Sequence, residues 1–261
     1  MTLYLIGLGL GDEQDITVKG LQAIKKCNKV YLESYTSHLC QYSIPSLERL
    51  YGKKITVATR EIVEDQESQL LQEAQRHDVA LLIPGSPLSA TTHMELVVAA
   101  RRKNIPLQII ENASIFTAVA QTGLFLYKFG RAATIPFKKK HPEKPYEVQQ
   151  DISKPAPTFE TESISSPYQV YVDNQKHGLH TLFLLDSERE KMMTVREGLD
   201  YLLKKGMQKK TMVIGCGALG SDQSEIRVGA ADTLTIKKFP QCFIIPGKLN
   251  FKEEEALEQH T

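Results

Sequence analysis

Tryptophan is missing from this 261-residue chain, and so is almost all net charge. No apolar run approaches the roughly 20 residues needed to span a bilayer. Thirty-two Lys and Arg face 31 Asp and Glu, leaving a formal charge of +1. A surface so balanced has no global field to gather nucleic acid or anionic lipid, so neither a direct nucleic-acid partner nor a membrane is expected. Cysteine is scarce as well: Cys27, Cys40, Cys216 and Cys242 are scattered and form no CxxC pair. That argues against a disulfide framework or a structural zinc site, and it fits a reducing cytoplasm. The opening Met1–Gly7 segment has no basic stretch before its short apolar run, so it reads as a first strand and not as a signal peptide. The missing tryptophan decides nothing.

What is present is the composition of a folded protein, 41% hydrophobic and 24% charged, long enough for one large domain or two ordinary ones. Short apolar runs alternate with amphipathic ones in the first half, the pattern of βα units. Strands are expected over Leu3–Leu8, Lys29–Glu33, Ile55–Ala58, Val79–Ile83 and Leu107–Ile110. Helices are expected over Thr17–Cys27, Glu61–Arg76, Thr92–Arg102 and Ala113–Thr122. In the second half His180–Asp186, Thr211–Gly217 and Cys242–Pro246 read as strands, and Thr194–Lys205 and Phe251–His260 as helices. Ile226–Ile236 is ambiguous between strand and turn. Between the halves, Lys138–Pro167 carries five prolines (142, 145, 155, 157 and 167), few apolar residues and no periodicity, the mark of a long loop. The expected class is α/β, with two α/β domains at 1–133 and 134–261 and a Pro-rich insertion in the second at about 138–167.

Three strand ends carry small or polar residues. Gly7-Leu8-Gly9-Leu10-Gly11 closes the first strand, where glycine lets backbone approach a ligand or simply makes a tight turn. A dinucleotide fingerprint fails on spacing, because its third glycine would fall at Asp12. Pro84–His93 follows the Val79–Ile83 run, with Ser89, Thr91 or Thr92 placed to cap the next helix. Asn112-Ala113-Ser114-Ile115 also reads as capping. Ligands of open α/β sheets bind outside the carboxyl ends of the strands. Together the three segments outline a cleft.

In order along the chain, Leu5–Leu10, Asp15–Leu21, Tyr35-Thr36-Ser37, Ala90–His93, Ser114-Ile115, Gly123-Leu124, Tyr127–Gly130, Gly178–Leu182, Leu185-Asp186 and Ile245–Leu249 resemble the diphthine synthase family. The likeness covers nearly the whole chain except Lys138–Pro167. It implies a tetrapyrrole-methylase-like fold of two α/β domains with a cofactor cleft between them, commonly a cytoplasmic homodimer. The implied activity is S-adenosyl-L-methionine-dependent methylation of the amine of a 3-amino-3-carboxypropyl group on a histidine of translation elongation factor 2. The implied cofactor contacts are Leu10, Ser86, Ser89, Ser114, Ile115 and Leu185, with Leu219 and Gln241 from the second half. No metal is implied.

Two departures from the family pattern stand out. Gly85-Ser86-Pro87 replaces a usual Gly-Asp-Pro, so a carboxylate acceptor becomes a hydroxyl, a loss of roughly 1–2 kcal/mol if nothing compensates. Gly215–Gly220 lacks an arginine frequent after the fifth strand. The alternatives are methylation of a tetrapyrrole or corrin precursor, and a nonenzymatic relative binding a nucleotide or a partner.

Methyl transfer to an amine needs alignment and an unprotonated nitrogen, so a protein base is optional and no catalytic residue is assigned. His93 and His180 read more readily as structural histidines. Asp186 is balanced between capping a turn and touching substrate, and Tyr35 and Tyr127 read as packed aromatics. The basic run Lys138–His141 reads as a solvated loop. A branched residue at Gly9 is expected to obstruct the cofactor-facing turn.

Overall fold

The computed structural model describes residues 1–35, 38–64, 69–137, 166–188 and 191–260. The expected Pro-rich loop and its Lys138–His141 run lie outside these residues, apart from Ser166 and Pro167. Those two open a helix instead: Ser166 accepts from the Gln169 N–H, and Pro167 takes the first helical position, where a missing N–H costs nothing.

Five strands build an all-parallel sheet: β1 (Leu3–Gly7), β2 (Lys29–Glu33), β3 (Thr56–Ala58), β4 (Val79–Ile83) and β5 (Leu107–Ile110), in the order β3-β2-β4-β1-β5. Both faces of its middle strands are buried, which is why they read as unbroken apolar runs. Leu3, Leu5, Val79, Leu81 and Ile83 face a core that also holds Leu70 and Leu71 of α4 (Gln69–Ala74) and Val97 of α5 (Met94–Arg102). Ile6, Leu8, Ala80 and Leu82 face the other side, where Ile24 of α1 (Val18–Lys26) and Leu47 and Tyr51 of α2 (Ile44–Tyr51) pack. The short α3 (Arg60–Glu64) precedes α4, so the single helical stretch expected over 61–76 contains two helices, with 65–68 outside the description.

After β5 the chain makes one turn of α6 (Ile115–Ala118), passes into 3-10 geometry over Val119–Thr122 and stops at Gly123, whose φ of +87° ends the run. A second sheet follows, with β6 (Ala133–Ile135), β7 (Thr181–Leu185), β10 (Met212–Gly217), β11 (Glu225–Ala230) and β12 (Gln241–Ile245) in the order β11-β10-β12-β7-β6. It is antiparallel except for β6 beside β7. A two-stranded ribbon, β8 (Ser187–Glu188) with β9 (Lys191–Met192), projects after β7. α7 (Pro167–Lys176) and α8 (Val195–Lys204) cover the face built on Phe183 and Phe243, whose rings stack at 4.8 Å. α9 (Phe251–Glu258) covers the face holding Leu182, Ile214 and Ile244.

Val119 and Leu124 belong to that last core and not to the first sheet. A division at residue 133 would assign this segment to the first domain. On side-chain packing we propose instead that the second domain begins after Glu111. The ambiguous 226–236 stretch resolves into β11 followed by a turn over 231–233, closed by the Thr233 and Leu234 N–H groups donating to the Ala230 carbonyl.

Candidate functional site

The strand ends of the first sheet are stitched to one another before any ligand is considered. Gly9 and Gly85, both at φ +81°, exchange backbone hydrogen bonds of 3.2 and 2.6 Å. The Asp15 carboxylate accepts the N–H groups of Leu10 (3.1 Å) and Gly11 (2.7 Å), while the Leu10 and Gly11 carbonyls accept from Cys40 and Gln41. Asn112 reaches across to donate to the carbonyls of Gly7 and Asp15. The amides of Gly9, Leu10 and Gly11 are therefore all spent inside the protein. This glycine loop is a tight turn that presents the Leu10 side chain, not a cradle of free N–H groups.

A cleft lies between these strand ends and the second sheet, with about 1060 Å³ of non-protein space when its open mouth is included. Its wall includes Leu10, Ser86, Ser89, Ser114, Ile115, Leu185, Leu219 and Gln241, so the structure brings all eight expected contact residues together. Ser86 is 7% exposed, and its hydroxyl donates to the carboxylate of Glu111, the residue just past β5. Ser114 holds the N-cap position of α6, where the Thr117 hydroxyl accepts the Ser114 N–H and donates to the Ser114 carbonyl. Leu219 follows Ala218, which sits at φ +50°, a strained position for a residue with a Cβ. The side chain of Gln241 is committed elsewhere: its Oε1 accepts the N–H of Val195, and its Nε2 donates to the Ile236 carbonyl.

The hydroxyls at 89–92 do not cap α5. Its N-cap is His93, with no side-chain cap bond. Ser89 and Thr91 face the cleft instead. His93 is 1% exposed, and its Nδ1 lies 2.7 Å from the Thr91 hydroxyl and 3.2 Å from the Pro87 carbonyl, pinning the loop after β4. His180 is fully buried. Its Nδ1 accepts the Gly247 N–H, so Nε2 carries the proton and donates to Glu253 at 3.0 Å. Burial, partly offset by Glu253, keeps that imidazole below its ordinary pKa. Asp186 accepts the N–H groups of Phe137 and Ser187, which makes it a turn cap. Tyr35 packs against the first core with Arg60 over its ring, but Tyr127 is 81% exposed and is not a packed aromatic. None of His93, His180, Asp186, Tyr35 and Tyr127 lines the cleft.

Several wall residues carried no signal in the sequence. Met192, Met193 and Ser187 arrive on the β8–β9 ribbon, and Cys216 and Cys242 face each other across β10 and β12. Burial raises the pKa of Cys40, and the Cys242 thiol together with burial raises that of Cys216, so both remain neutral thiols. His38 also lines the cleft, its pKa lowered by burial against the pull of Glu33. Among the described residues no Lys, Arg, Asp or Glu contributes to the wall. Gly85 is bare on this side: a Cβ built there would meet nothing within 4 Å. A concave wall of apolar side chains, hydroxyls and backbone, with no Lys, Arg, Asp or Glu among the described residues, has the make-up of a small-molecule site.

The model of the family described as Tetrapyrrole (Corrin/Porphyrin) Methylases matches residues 2–235. A diphthine synthase of Methanococcus maripaludis (strain C6) is 38% identical across 98% of this chain and 97% of that protein. This chain belongs to the diphthine synthases, within the tetrapyrrole methylase family. A diphthine methyl ester synthase of Dictyostelium discoideum is 36% identical, over 99% of this chain and 97% of that one. A crystal structure of diphthine synthase superposes with a TM-score of 0.84 at 30% identity, covering all of this chain and 96% of that one. The family fold is the α/β arrangement described above, and family membership makes the chain a methyltransferase that uses a methyl donor. Among the described residues no helix is long and apolar enough to cross a membrane.

Proposed function

We propose that this chain transfers methyl groups from S-adenosyl-L-methionine to the amine of a 3-amino-3-carboxypropyl group on a histidine of translation elongation factor 2, a step of diphthamide biosynthesis. The observation that carries the reading is the cleft between the two sheets, whose wall unites Leu10, Ser86, Ser89, Ser114, Ile115, Leu185, Leu219 and Gln241. In this reading the Gly85 backbone and the apolar wall hold the donor, and the hydroxyls of Ser86, Ser89 and Ser114 orient it. Gln241 contributes its main chain and the edge of an amide already bonded at both ends.

S-adenosyl-L-methionine, when bound, supplies a methyl group on a sulfonium, which is activated without help from the protein. The chain's own contribution is placement and the exclusion of water. A desolvated amine loses its proton more readily, because burial disfavours the charged form, so a low-polarity wall does part of a base's work. The absence of lysine and arginine from the described wall spares the cationic sulfur a repulsion that would cost several kcal/mol at low effective dielectric. The reading places the protein in the cytoplasm as a homodimer. Four free thiols are consistent with a reducing compartment.

Purified protein, methyl-labelled S-adenosyl-L-methionine and elongation factor 2 carrying the aminocarboxypropyl histidine test the assignment. Label is expected on that histidine, and its absence beside an active control enzyme rejects the activity. Hydroxylamine treatment of the product then separates a methyl ester, which it cleaves, from N-methyl groups, which it leaves.

A further inference from the structure

The cleft wall has no carboxylate of its own among the described residues, yet one is hydrogen-bonded to it from outside. Glu111 follows the last residue of β5 and lies outside the wall, while Ser86, 25 positions earlier, lies in it. The Ser86 hydroxyl donates to the Glu111 carboxylate. A hydroxyl has one hydrogen and two lone pairs. With the hydrogen committed to an anion, the oxygen faces the cleft as an acceptor only, and the bond to the carboxylate polarises it further toward negative charge.

We infer that Glu111 is a positioning residue for the methyl donor, acting through Ser86. The pair supplies, in two parts, the acceptor that a single aspartate at position 86 would supply in one. This rests on the reading of the cleft as the S-adenosyl-L-methionine site. The complementary ligand group is a hydrogen-bond donor, either a sugar hydroxyl or an amino-acid ammonium.

The arrangement has two supports besides the hydrogen bond. Ser86 is held by its neighbours, since its carbonyl accepts the Ser89 N–H and the adjacent Gly85 is tied to Gly9. Glu111 is flanked by β5 and by Asn112, which is fixed to the Gly7 and Asp15 carbonyls. These bonds fix the backbone that carries each partner.

A double-mutant cycle read by calorimetric binding of S-adenosyl-L-methionine to the full chain tests the inference. Glu111→Gln keeps the size but removes the charge, and its amide can turn the hydroxyl round by donating to it. Affinity is expected to fall about tenfold, with the melting temperature of the unliganded protein unchanged. Ser86→Ala should cost a similar factor, and Glu111→Gln added to Ser86→Ala should cost little more, because Glu111 acts only through the hydroxyl. Ser86→Asp combined with Glu111→Gln should recover affinity by moving the carboxylate into the wall. A Glu111→Gln protein that binds within twofold of the parent, or one whose loss persists undiminished in the Ser86→Ala background, overturns the inference. A parent chain that does not bind S-adenosyl-L-methionine at all overturns the underlying reading, which this result keeps distinct from the other two. Repeating the cycle with methylthioadenosine, which keeps the ribose and lacks the ammonium, assigns the partner: a retained effect points to the hydroxyls, a lost one to the ammonium.

Discussion

Glycine 9 shows how a residue can matter to a site without facing it. Its motif suggested backbone laid open to a ligand, but a Cβ at Gly9 would point at Asp15, 2.6 Å from the Asp15 Cβ. Gly9→Val must therefore displace the carboxylate that holds the Leu10 and Gly11 amides, and must also place a branched residue at φ +81°. The backbone cost is about 1–2 kcal/mol, and releasing partly buried amides adds about 1–3 kcal/mol. Urea unfolding should show a loss of that size, and a variant as stable as the parent would refute this role for Asp15. Gly85→Ala carries the same backbone cost at φ +81° but no clash, since a Cβ there meets nothing within 4 Å. At the level of single residues, the strand ends outlined a cleft, and the resemblance to the family supplied the eight positions that gather in it. The sequence could not reveal that the Gln241 amide is spent on Val195 and Ile236, or that Glu111 accepts from Ser86. The Gln241–Val195 and Ser86–Glu111 bonds join positions 46 and 25 residues apart, and no local pattern encodes them.

Among the elements, short apolar runs bounded by turn residues were the legible ones. β2, β4 and β5 fall on the residues expected of them; β4 is buried and apolar throughout, while β2 and the edge strand β5 carry polar residues among their apolar ones. β6 and the β8–β9 ribbon were not foreseen: they are two or three residues long and lie at a sheet edge or outside both sheets. α2 was missed although Ser43 forms a capping box and Pro45 occupies its first turn, because it buries only Leu47 and Tyr51. The C-terminal α9 was foreseen, but its anchor was not. Glu253, fully buried, accepts from the Phe125 and Asn250 N–H groups and from His180, and is paired with Lys128. Burial works to raise the pKa of this carboxyl, and those donors, Lys128 first, overcome it and hold it down to about 2. A depressed carboxyl pKa stabilises the fold above the unfolded value near 4.5, and that contribution fades as pH falls toward 2. It amounts to an order of 3 kcal/mol. Glu253→Gln should therefore melt well below the parent at pH 7, and the gap should narrow between pH 4.5 and 2. A gap that stays constant with pH would mean the carboxyl is not ionised in the folded state.

Across the whole molecule, the width of the cleft is set where the two sheets' loops touch. Leu10 on one side and Leu219 on the other both line the wall, and Gly220 rests against Leu10. A Cβ at Gly220 would stand 2.8 Å from the Leu10 Cβ, and one at Gly11 would stand 2.8 Å from the Gly220 carbonyl oxygen. The Cys40 thiol, 3.9 Å from the Leu219 carbonyl, closes the same seam. The loops of the two sheets are thus as near as bare backbone allows, and glycine at 220 is what permits the approach. Gly220→Ala carries two separable costs. Its φ of +87° makes any Cβ unfavourable by about 1–2 kcal/mol, and the methyl must push the Leu10 loop away from the loop after β10. Gly52→Ala isolates the first cost: Gly52 ends α2 at φ +67°, and a Cβ there meets nothing within 4 Å. Both variants should lose stability in urea, Gly220→Ala the more because it adds the clash with Leu10 to the backbone cost. Only Gly220→Ala should also weaken binding of S-adenosyl-L-methionine, because only it widens the space the ligand must bridge. Equal affinities for the two variants would show that the seam between Leu10 and Gly220 does not govern the site.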